Sequence, residues 1–246
     1  MSASDLINNP KYSKLIESSP EFKKILNELE AEHIMTLRNI THEFGNILTL
    51  INSSLQIIES SHPEVSEYKY WNSTTNDVHY MISLLSEIST YNNSTKLHLE
   101  TINITELIHS VSSTYNGLYA DKNVTSKFET INYPPEINAD KTKIKQVFIN
   151  LIKNAFESIS PDTSGLVHIS IDYCDGTISI TISDNGCGIP DCDIDKIFLP
   201  MVTFKPNGTG LGLPISKRII EAHNGSISVT SSIDKGTTFR ILLPVL

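Results

Sequence analysis

The spacing of apolar residues across positions 34–58 constrains the fold of this chain more than any other feature of the sequence. Apolar side chains recur there at steps of three or four, the interval that brings residues to one face of an α-helix. The stripe consists of Leu37, Ile40, Phe44, Leu48, Ile51, Leu55 and Ile58. The spacing therefore predicts a long amphipathic helix, which the proline-containing stretch "SSHPE" at 60–64 is expected to end.

A second apolar stripe with the same spacing follows that proline. It consists of Trp71, Val78, Met81, Leu85 and Ile88. The two segments predict an antiparallel helical hairpin. Because two helices alone bury too little apolar surface, we expect the hairpin to pair with a second copy into a four-helix bundle, which makes the protein a homodimer. We assign residues 1–30 to an N-terminal lead-in, 31–92 to the hairpin and the Asn- and Ser-rich residues 91–98 to a linker.

Residues 98–246 carry a mixed pattern of helices and strands. The motif "NITE" at 103–106 matches a capping box that opens a helix, expected to run to about residue 119, and Asp140 can cap another helix. The segment "LVHISIDYCDGTISITISD" alternates apolar and polar residues around a Cys-Asp-Gly-Thr turn, which predicts a β-hairpin. A helix at about 214–223 and two further strands follow. The predicted fold is therefore α+β, a helical hairpin followed by a sheet covered on one face by helices.

The histidine of the first helix lies in a polar setting. His42 is two residues from both Ile40 and Phe44, so we expect it on the opposite side of the helix, facing water. A polar stripe shares that side, formed by Arg38, Asn46, Thr49 and Ser53. An exposed neutral imidazole can act as a nucleophile, and the adjacent Glu43 can orient the ring or take its second proton. Taken alone, His42 is better explained as an ordinary surface histidine.

Two amides mark the helix predicted from "KTKIKQVFINLIKNAFESI". Asn150 and Asn154 stand four residues apart and so share one face. Amide oxygens suit Mg²⁺, which usually takes one or two protein ligands and completes its octahedron with water and substrate phosphates. Helix capping or hydrogen bonds in the core explain such residues about equally well.

Two glycine-rich segments can contact a nucleotide. In "SDNGCGIP", Asp184 can accept a hydrogen bond from an adenine amino group, while Gly186 and Gly188 let the backbone approach the base; a plain tight turn is the alternative explanation. In "FKPNGTGLGLPI", a lysine and three glycines precede the helix at 214–223. These residues are Lys205, Gly208, Gly210 and Gly212. Backbone amides at a helix start form an anion cradle, which suits phosphates.

Composition excludes several other classes of protein. The formal net charge of −9 over 246 residues argues against a nucleic-acid-binding protein, because gripping a phosphate backbone requires clustered Lys and Arg. The three cysteines form no CxxC pair and indicate neither a disulfide framework nor a zinc site. There is no run of roughly 18 apolar residues to span a membrane and no secretory signal at the N-terminus, so we expect a cytoplasmic protein.

The order of these motifs resembles the transmitter core of two-component sensor histidine kinases, which belong to the GHKL ATPase superfamily. The chain has an H-box "THEFGN", an N-box "NLIKNAFES", a G1 box "DNGCGI", an F-box region "IFLPMVTFKPN" and a G2 box "GTGLGL". The resemblance runs from about residue 30 to the end and is close to the nitrogen-regulation type. It implies a helical dimerisation and phosphotransfer domain followed, at 98–246, by an α/β sandwich that binds ATP and Mg²⁺.

The resemblance also implies a reaction in which the γ-phosphoryl group of ATP is transferred to His42, and then to an aspartate in the receiver domain of a response regulator. Glu43 matches the adjacent acid that acts as a base or orients the ring. Asn154 matches the Mg²⁺ ligand, and Asn150 is its companion on the same helix. Asn46 completes a Glu-x-x-Asn pattern that implies phosphatase activity towards the phosphorylated receiver.

The remaining implied roles concern the nucleotide. Asp184 matches the carboxylate that binds adenine, and Thr237 in "KGTTF" matches a supporting contact near it. Lys205 matches part of a mobile lid over the phosphates. The phosphate loop consists of Gly208, Thr209, Gly210, Leu211 and Gly212.

One departure from the family pattern and two alternatives remain. The proline that often follows the H-box is replaced by Ile47 and Leu48, so the first helix is expected to be less kinked. The first alternative is another ATPase of the superfamily, such as a gyrase, mismatch-repair or chaperone relative. The second is a phosphotransfer or scaffold protein without catalytic activity.

Overall fold

The structure is a computed structural model that describes residues 20–119, 122–160, 164–205 and 208–245. The described residues form two compact units that divide between Asn92 and Asn93. Residues 1–19 of the predicted lead-in lie outside the described ranges. Within those ranges, no helix combines the length and the apolar character needed to cross a membrane.

The first unit is the predicted helical hairpin. Helix α1 spans Pro20–Ser61, a 3₁₀ turn spans Pro63–Glu67, and helix α2 spans Trp71–Asn93. A hydrogen bond of 3.0 Å joins Asn52 Oδ1 on α1 to His79 Nε2 on α2. Helix α1 begins at Pro20, within the last third of the predicted lead-in, and so starts well before the apolar stripe that defined it in the sequence.

The single apolar face predicted for α1 is in fact two adjacent stripes. Leu48 is 5% exposed, and it lies one turn before Asn52, whose bond to His79 marks the side of α1 that faces α2. The other stripe is exposed and consists of Ile40, Phe44, Ile47, Ile51 and Ile58. Steps of three and four accommodate two such stripes, offset by one residue and therefore by about 100° around the helix. The exposed stripe is apolar surface that the hairpin alone does not bury.

The second unit is built on a five-stranded mixed sheet, with its strands in the order β2-β4-β5-β7-β6. Strands β2 and β4 are parallel and the other neighbours are antiparallel. The strands are β2 Val124–Thr130, β4 Gly165–Cys174, β5 Thr177–Asp184, β6 Ser226–Ser232 and β7 Gly236–Pro244. A separate two-stranded sheet pairs β1 Glu100–Ile102 with β3 Ile137–Ala139. The sequence predicted β4 to β7 and missed β1 to β3.

Helices cover one face of this sheet, as predicted. The helices of this unit are α3 Ile104–Leu118, α4 Lys141–Glu157, α5 Asp191–Ile194 and α6 Gly212–Ala222. Alternate residues of β4 and β5 are almost completely buried, and so are the apolar residues of α4 except Ile149, which is exposed. These core residues include Val167, Ile169, Ile171, Ile178, Ile180 and Ile182 from the strands and Val147, Phe148, Leu151 and Ile152 from α4. Burying such side chains is the main source of stability for a unit of this size.

Local sequence chemistry determines where several elements begin and turn. The side-chain oxygen of Asn103 accepts a hydrogen bond from the Glu106 backbone amide at 3.1 Å and so caps α3, as predicted. The Glu106 carboxylate accepts from the side-chain NH₂ of Asn103 at 3.1 Å, in place of the backbone amide that a full capping box would use. Asp140 accepts the Lys143 amide at 3.0 Å and caps α4. Asp175 and Gly176 have φ values of 50° and 75°, so they form the two-residue turn predicted between β4 and β5.

Candidate functional site

Asp184 ends strand β5, and three donors fix one of its two carboxylate oxygens. Its Oδ1 accepts hydrogen bonds from Ser158 Oγ at 2.9 Å, from the Gly186 amide at 2.9 Å and from the Thr237 amide at 3.3 Å. Among the described residues, no hydrogen bond reaches the other oxygen, Oδ2. A carboxylate held in this way presents one acceptor in a fixed direction, which suits an amino group of a ligand.

The environment of Asp184 opposes its ionisation. Burial raises the pKa of this carboxyl, while the bonds from Gly186, Ser158 and Thr237 and the charge of Lys205 lower it; burial dominates, so the pKa lies above its ordinary value. Ionising this carboxyl in the folded protein therefore has a cost that its surroundings do not fully offset. A carboxylate in this state is typical of a site that completes its hydrogen bonds with a ligand.

The backbone around Asp184 follows the predicted glycine pattern. Gly186 lies against Ser158, where a Cβ would overlap the serine hydroxyl. Gly188 has a φ of 71°, and a Cβ there would overlap the backbone carbonyl of Ser232. Thr237 is buried, and its hydroxyl lies 2.9 Å from that of Ser231. Asp184, both glycines and Thr237 therefore come together at one end of the sheet.

The two amides of α4 play different parts in the structure. Asn150 donates to Ser216 Oγ on α6 at 2.9 Å and accepts from the Asn154 amide at 3.3 Å, so both ends of its side chain have partners. The oxygen of Asn154 is directed elsewhere, because it accepts a hydrogen bond from Lys205 Nζ at 2.8 Å. Asn150 thus links α4 to α6, whereas the side-chain oxygen of Asn154 accepts a hydrogen bond from a cation.

The cation that Asn154 binds in this structure is an ammonium group. Lys205 Nζ also donates to Glu157 Oε2 at 2.7 Å, so a neutral amide oxygen and a carboxylate oxygen share one positive charge. Oxygen ligands of these two kinds also fit Mg²⁺. No group of three or more His, Cys, Asp or Glu side chains that could hold a metal occurs in the part of the chain that the structure describes. A metal bound here would need phosphate and water oxygens to complete its coordination.

The predicted phosphate loop leads directly into helix α6. Gly208 donates its amide to the Lys205 carbonyl at 3.1 Å, and the Leu211 amide lies 3.4 Å from Thr209 Oγ1. Gly210 has a φ of 69° and accepts the Met201 amide at 3.0 Å. The helix begins at Gly212, two residues earlier than predicted, and no side chain caps it because its N-cap residue is Leu211. Uncapped amides at the first turn can bind an anion.

The predicted phosphoacceptor lies in the first unit, on the exposed part of α1. His42, Glu43 and Asn46 are all exposed, and Arg38 is exposed with them. No hydrogen bond to the side chain of His42, Glu43 or Asn46 occurs among the described residues, so Glu43 does not orient the ring in this structure.

Two residues of the site, Ser158 and Glu157, were not selected from the sequence. Ser158 is the C-cap residue of α4, and its contact with Asp184 depends on the packing of this helix beside β5. Glu157 lies one helical turn after Asn154, at the spacing that brings two side chains to one face. That spacing was the only available signal for Glu157, and there was none for Ser158.

Comparison with known proteins shows the family to which the chain belongs. Residues 139–246 match the family described as histidine kinase-, DNA gyrase B-, and HSP90-like ATPase. Sporulation kinase B of Bacillus subtilis (strain 168) is 36% identical over 244 residues, which is 94% of this chain and 52% of that protein. Sporulation kinase A of the same organism is 37% identical over 212 residues, 83% of this chain and 33% of that protein. The chain thus spans about half the length of these relatives or less.

Solved structures cover both units. The catalytic domain of the histidine kinase ThkA is 33% identical, with a TM-score of 0.55 over 60% of this chain and 96% of that one. ThkA in complex with the response regulator TrrA matches 97% of this chain and 68% of that one at 27% identity, with a TM-score of 0.60. The match to full-length ShkA, with a TM-score of 0.74 at 21% identity, supports the fold alone. Since its identity to the ThkA catalytic domain extends over almost all of that domain, the chain belongs to the histidine kinases of the GHKL ATPase superfamily.

Proposed function

We propose that this chain is a protein-histidine kinase of two-component signalling, which phosphorylates itself on His42 with ATP and passes the phosphoryl group to an aspartate of a response regulator. The observation that carries the proposal is Asp184, whose Oδ1 is fixed by three donors while Oδ2 remains available to an adenine amino group. The uncapped start of α6 supplies amides for the phosphates.

The nucleotide-binding residues position the triphosphate. Asp184 accepts a hydrogen bond from the adenine amino group, supported by Thr237, and the loop of residues 208–212 surrounds the phosphates. Asn154 would hold Mg²⁺ through its side-chain oxygen, and the bound ion would supply positive charge to the phosphates. Since phosphoryl transfer depends mainly on positioning and charge neutralisation, these contacts account for most of the catalysis that the protein must supply.

His42 supplies the nucleophile. A lone pair of its imidazole forms a bond to the γ-phosphorus while the bond from that phosphorus to the β,γ-bridging oxygen breaks, and ADP leaves. The ring N–H then loses its proton to Glu43 or to water, so that the phosphorylated ring is neutral. The exposure of His42 on α1 supports this role, because the ring must be reached by a nucleotide and later by a receiver domain.

The exposed apolar stripe of α1 supports a homodimer. Phe44 is 53% exposed, Ile47 is 53% exposed and Ile51 is 41% exposed, all on one side of the helix. A second copy of the hairpin buries such a stripe in a four-helix bundle. We place the dimeric protein in the cytoplasm, where ATP is available.

Two further parts of the proposal concern the receiver. The ThkA structure that matches 97% of this chain contains the response regulator TrrA, which supports a receiver domain as the partner of this chain. Asn46 is exposed one turn after His42 and can orient a water molecule for hydrolysis of the receiver's aspartyl phosphate. If Asn46→Ala leaves the rate of phosphate release from the phosphorylated receiver unchanged, the phosphatase role is wrong.

The test of the kinase proposal is labelling with γ-labelled ATP and Mg²⁺. We expect the protein to acquire a label that acid removes and alkali does not, the behaviour of a phosphohistidine. The His42→Gln variant should bind ATP as tightly as the original chain and acquire no label. Undiminished labelling of that variant would reject His42 as the acceptor.

A further inference from the structure

The ammonium group of Lys205 joins two oxygens that belong to one turn of helix α4. Asn154 Oδ1 accepts from Lys205 Nζ at 2.8 Å and Glu157 Oε2 accepts at 2.7 Å. The side chains of Lys205 and Glu157 are 47% and 32% exposed, so small ions in solution can reach this position. The structure therefore has one cation position with two oxygen ligands, and a protein side chain fills it.

We propose that Glu157 is a second anchor for the divalent cation of the nucleotide, and that the Lys205 ammonium occupies the cation position until the metal and nucleotide arrive. This inference rests on the proposed function and extends it, because the proposed function assigns the metal to Asn154 alone. Glu157 accepts hydrogen bonds from water bound to the metal, since Mg²⁺ keeps several of its waters and binds through few protein oxygens.

Charge explains why the position is filled in the absence of nucleotide. An unpaired carboxylate beside Asn154 would repel incoming phosphates, and the Lys205 ammonium neutralises it. Lys153 also lies 3.7 Å from the other oxygen of Glu157, but that contact is an exposed pair within α4 and leaves Oε2 to Lys205. When the divalent cation replaces the ammonium, Glu157 stays neutralised and Lys205 becomes available to the phosphates.

This arrangement predicts a specific dependence of nucleotide binding on Mg²⁺. Without a metal, Glu157 keeps the Lys205 ammonium away from the phosphates and so weakens nucleotide binding; with Mg²⁺, Glu157 strengthens binding of the metal–nucleotide complex. Glu157→Gln keeps the size of the side chain and removes its charge, so both effects vanish together. The matched control is Glu221→Gln, which also removes one carboxylate from an exposed pair with a lysine, here Lys217 at 3.9 Å on α6.

The experiment is calorimetric titration of ADP into the full chain, once in EDTA and once in saturating Mg²⁺. In Glu157→Gln, the gain in ADP affinity on adding Mg²⁺ should fall by about 10- to 100-fold, the usual loss when a partner of metal-bound groups is removed. The affinity in EDTA should be equal or tighter, and Glu221→Gln should match the original chain in both buffers. If Mg²⁺ raises the ADP affinity of Glu157→Gln as much as that of the original chain, Glu157 is not an anchor for the metal. If the original chain binds no ADP in either buffer, the proposed function itself fails.

The role of Lys205 has its own measurement. Mn²⁺ replaces Mg²⁺ as a paramagnetic probe, and its binding to the nucleotide-free protein is followed by electron paramagnetic resonance. Lys205→Gln should bind Mn²⁺ at least several-fold more tightly than the original chain, because the competing ammonium is gone. Adding Glu157→Gln to that variant should cancel the gain. Equal or undetectable Mn²⁺ binding by the original chain and Lys205→Gln would overturn the role of Lys205 in occupying the cation position.

Discussion

Ser158 at the end of helix α4 donates its hydroxyl to Asp184 at the end of strand β5, over 2.9 Å. The two residues are 26 positions apart, and the packing of the helix on the sheet brings them together. The bond engages Oδ1, which two backbone amides also engage, and so determines that Oδ2 is the oxygen a ligand meets. The end of α4 thus connects the adenine carboxylate to the helix that carries Asn154.

Asp184→Asn tests whether Oδ1 is bound by the protein while Oδ2 binds the ligand. The amide oxygen can still accept the three hydrogen bonds, but an NH₂ group replaces Oδ2 and faces the adenine amino group with a donor instead of an acceptor. We expect ADP affinity to fall by about 10- to 100-fold, the cost of losing a hydrogen bond to a charged group. Calorimetry measures this loss. ADP binding at the original affinity would exclude Asp184 from the adenine site.

The same substitution tests the effect of burial on the Asp184 carboxyl. Burial raises the pKa of this group above its usual 3.8, so its protonated form favours folding at low pH, and this contribution is lost as pH rises through the folded-state pKa. Relative to Asp184→Asn, the original chain should therefore lose stability as pH rises above about 4. Urea unfolding of both proteins from pH 4 to pH 7 checks the trend. A difference in unfolding free energy that is independent of pH would contradict it.

Gly210→Ala tests the phosphate loop. Gly210 has a φ of 69°, and a Cβ there would overlap the backbone of Val202, so alanine forces the loop to move at a cost of about 1–3 kcal/mol. We expect ADP affinity to fall by about tenfold while adenosine affinity changes little, because only ADP has phosphates. Gly117→Ala is the control, since it adds a methyl group in open space within α3 and should stabilise that helix by about 0.5–1 kcal/mol. If the affinities for adenosine and ADP fall equally, Gly210→Ala does not act through contacts with the phosphates.

Phe44→Lys tests the exposed apolar stripe. A charged side chain at the centre of a bundle is strongly unfavourable, so we expect the dimer to dissociate at micromolar concentration while the helical content of each chain stays unchanged. Light scattering gives the mass and circular dichroism gives the helical content. Thr49→Lys is the control, because Thr49 is exposed on the polar side of α1 with His42. A dimer that survives Phe44→Lys would mean that the hairpins do not pair through this stripe.

Sequence-based prediction succeeded where the determining chemistry is local. The helix cap formed by Asn103 and the turn at Asp175 and Gly176 each depend on a few consecutive residues, and the structure contains both. It failed where the outcome depends on distant partners. Strand β2 lies at the edge of the sheet and pairs in parallel with β4, and no short sequence pattern predicts this pairing.

The residues of the candidate site also fall into two groups, those that short motifs predict and those that depend on distant partners. The glycines and Asp184 belong to short motifs and could be selected from the sequence. Ser158 and Glu157 lie at the end of α4, but each contributes to the site through a partner from another segment. Ser158 contacts Asp184, and Glu157 contacts Lys205. The two stripes of α1 were merged into one because spacing alone does not tell which apolar residues face α2. The role of a residue on a helix can be assigned only when the element that packs against that side of the helix is known.

The most direct test of the central claim is to locate the transferred group on the protein itself. After incubation with ATP and Mg²⁺, the chain is digested at alkaline pH, where phosphohistidine survives, and its peptides are sequenced by mass spectrometry. The account predicts a phosphoryl group on His42, absent from His42→Gln and strongly reduced in Asp184→Asn when the ATP concentration is close to the dissociation constant of the original chain. A phosphoryl group on another residue, or hydrolysis of ATP with no phosphorylated peptide, would contradict it.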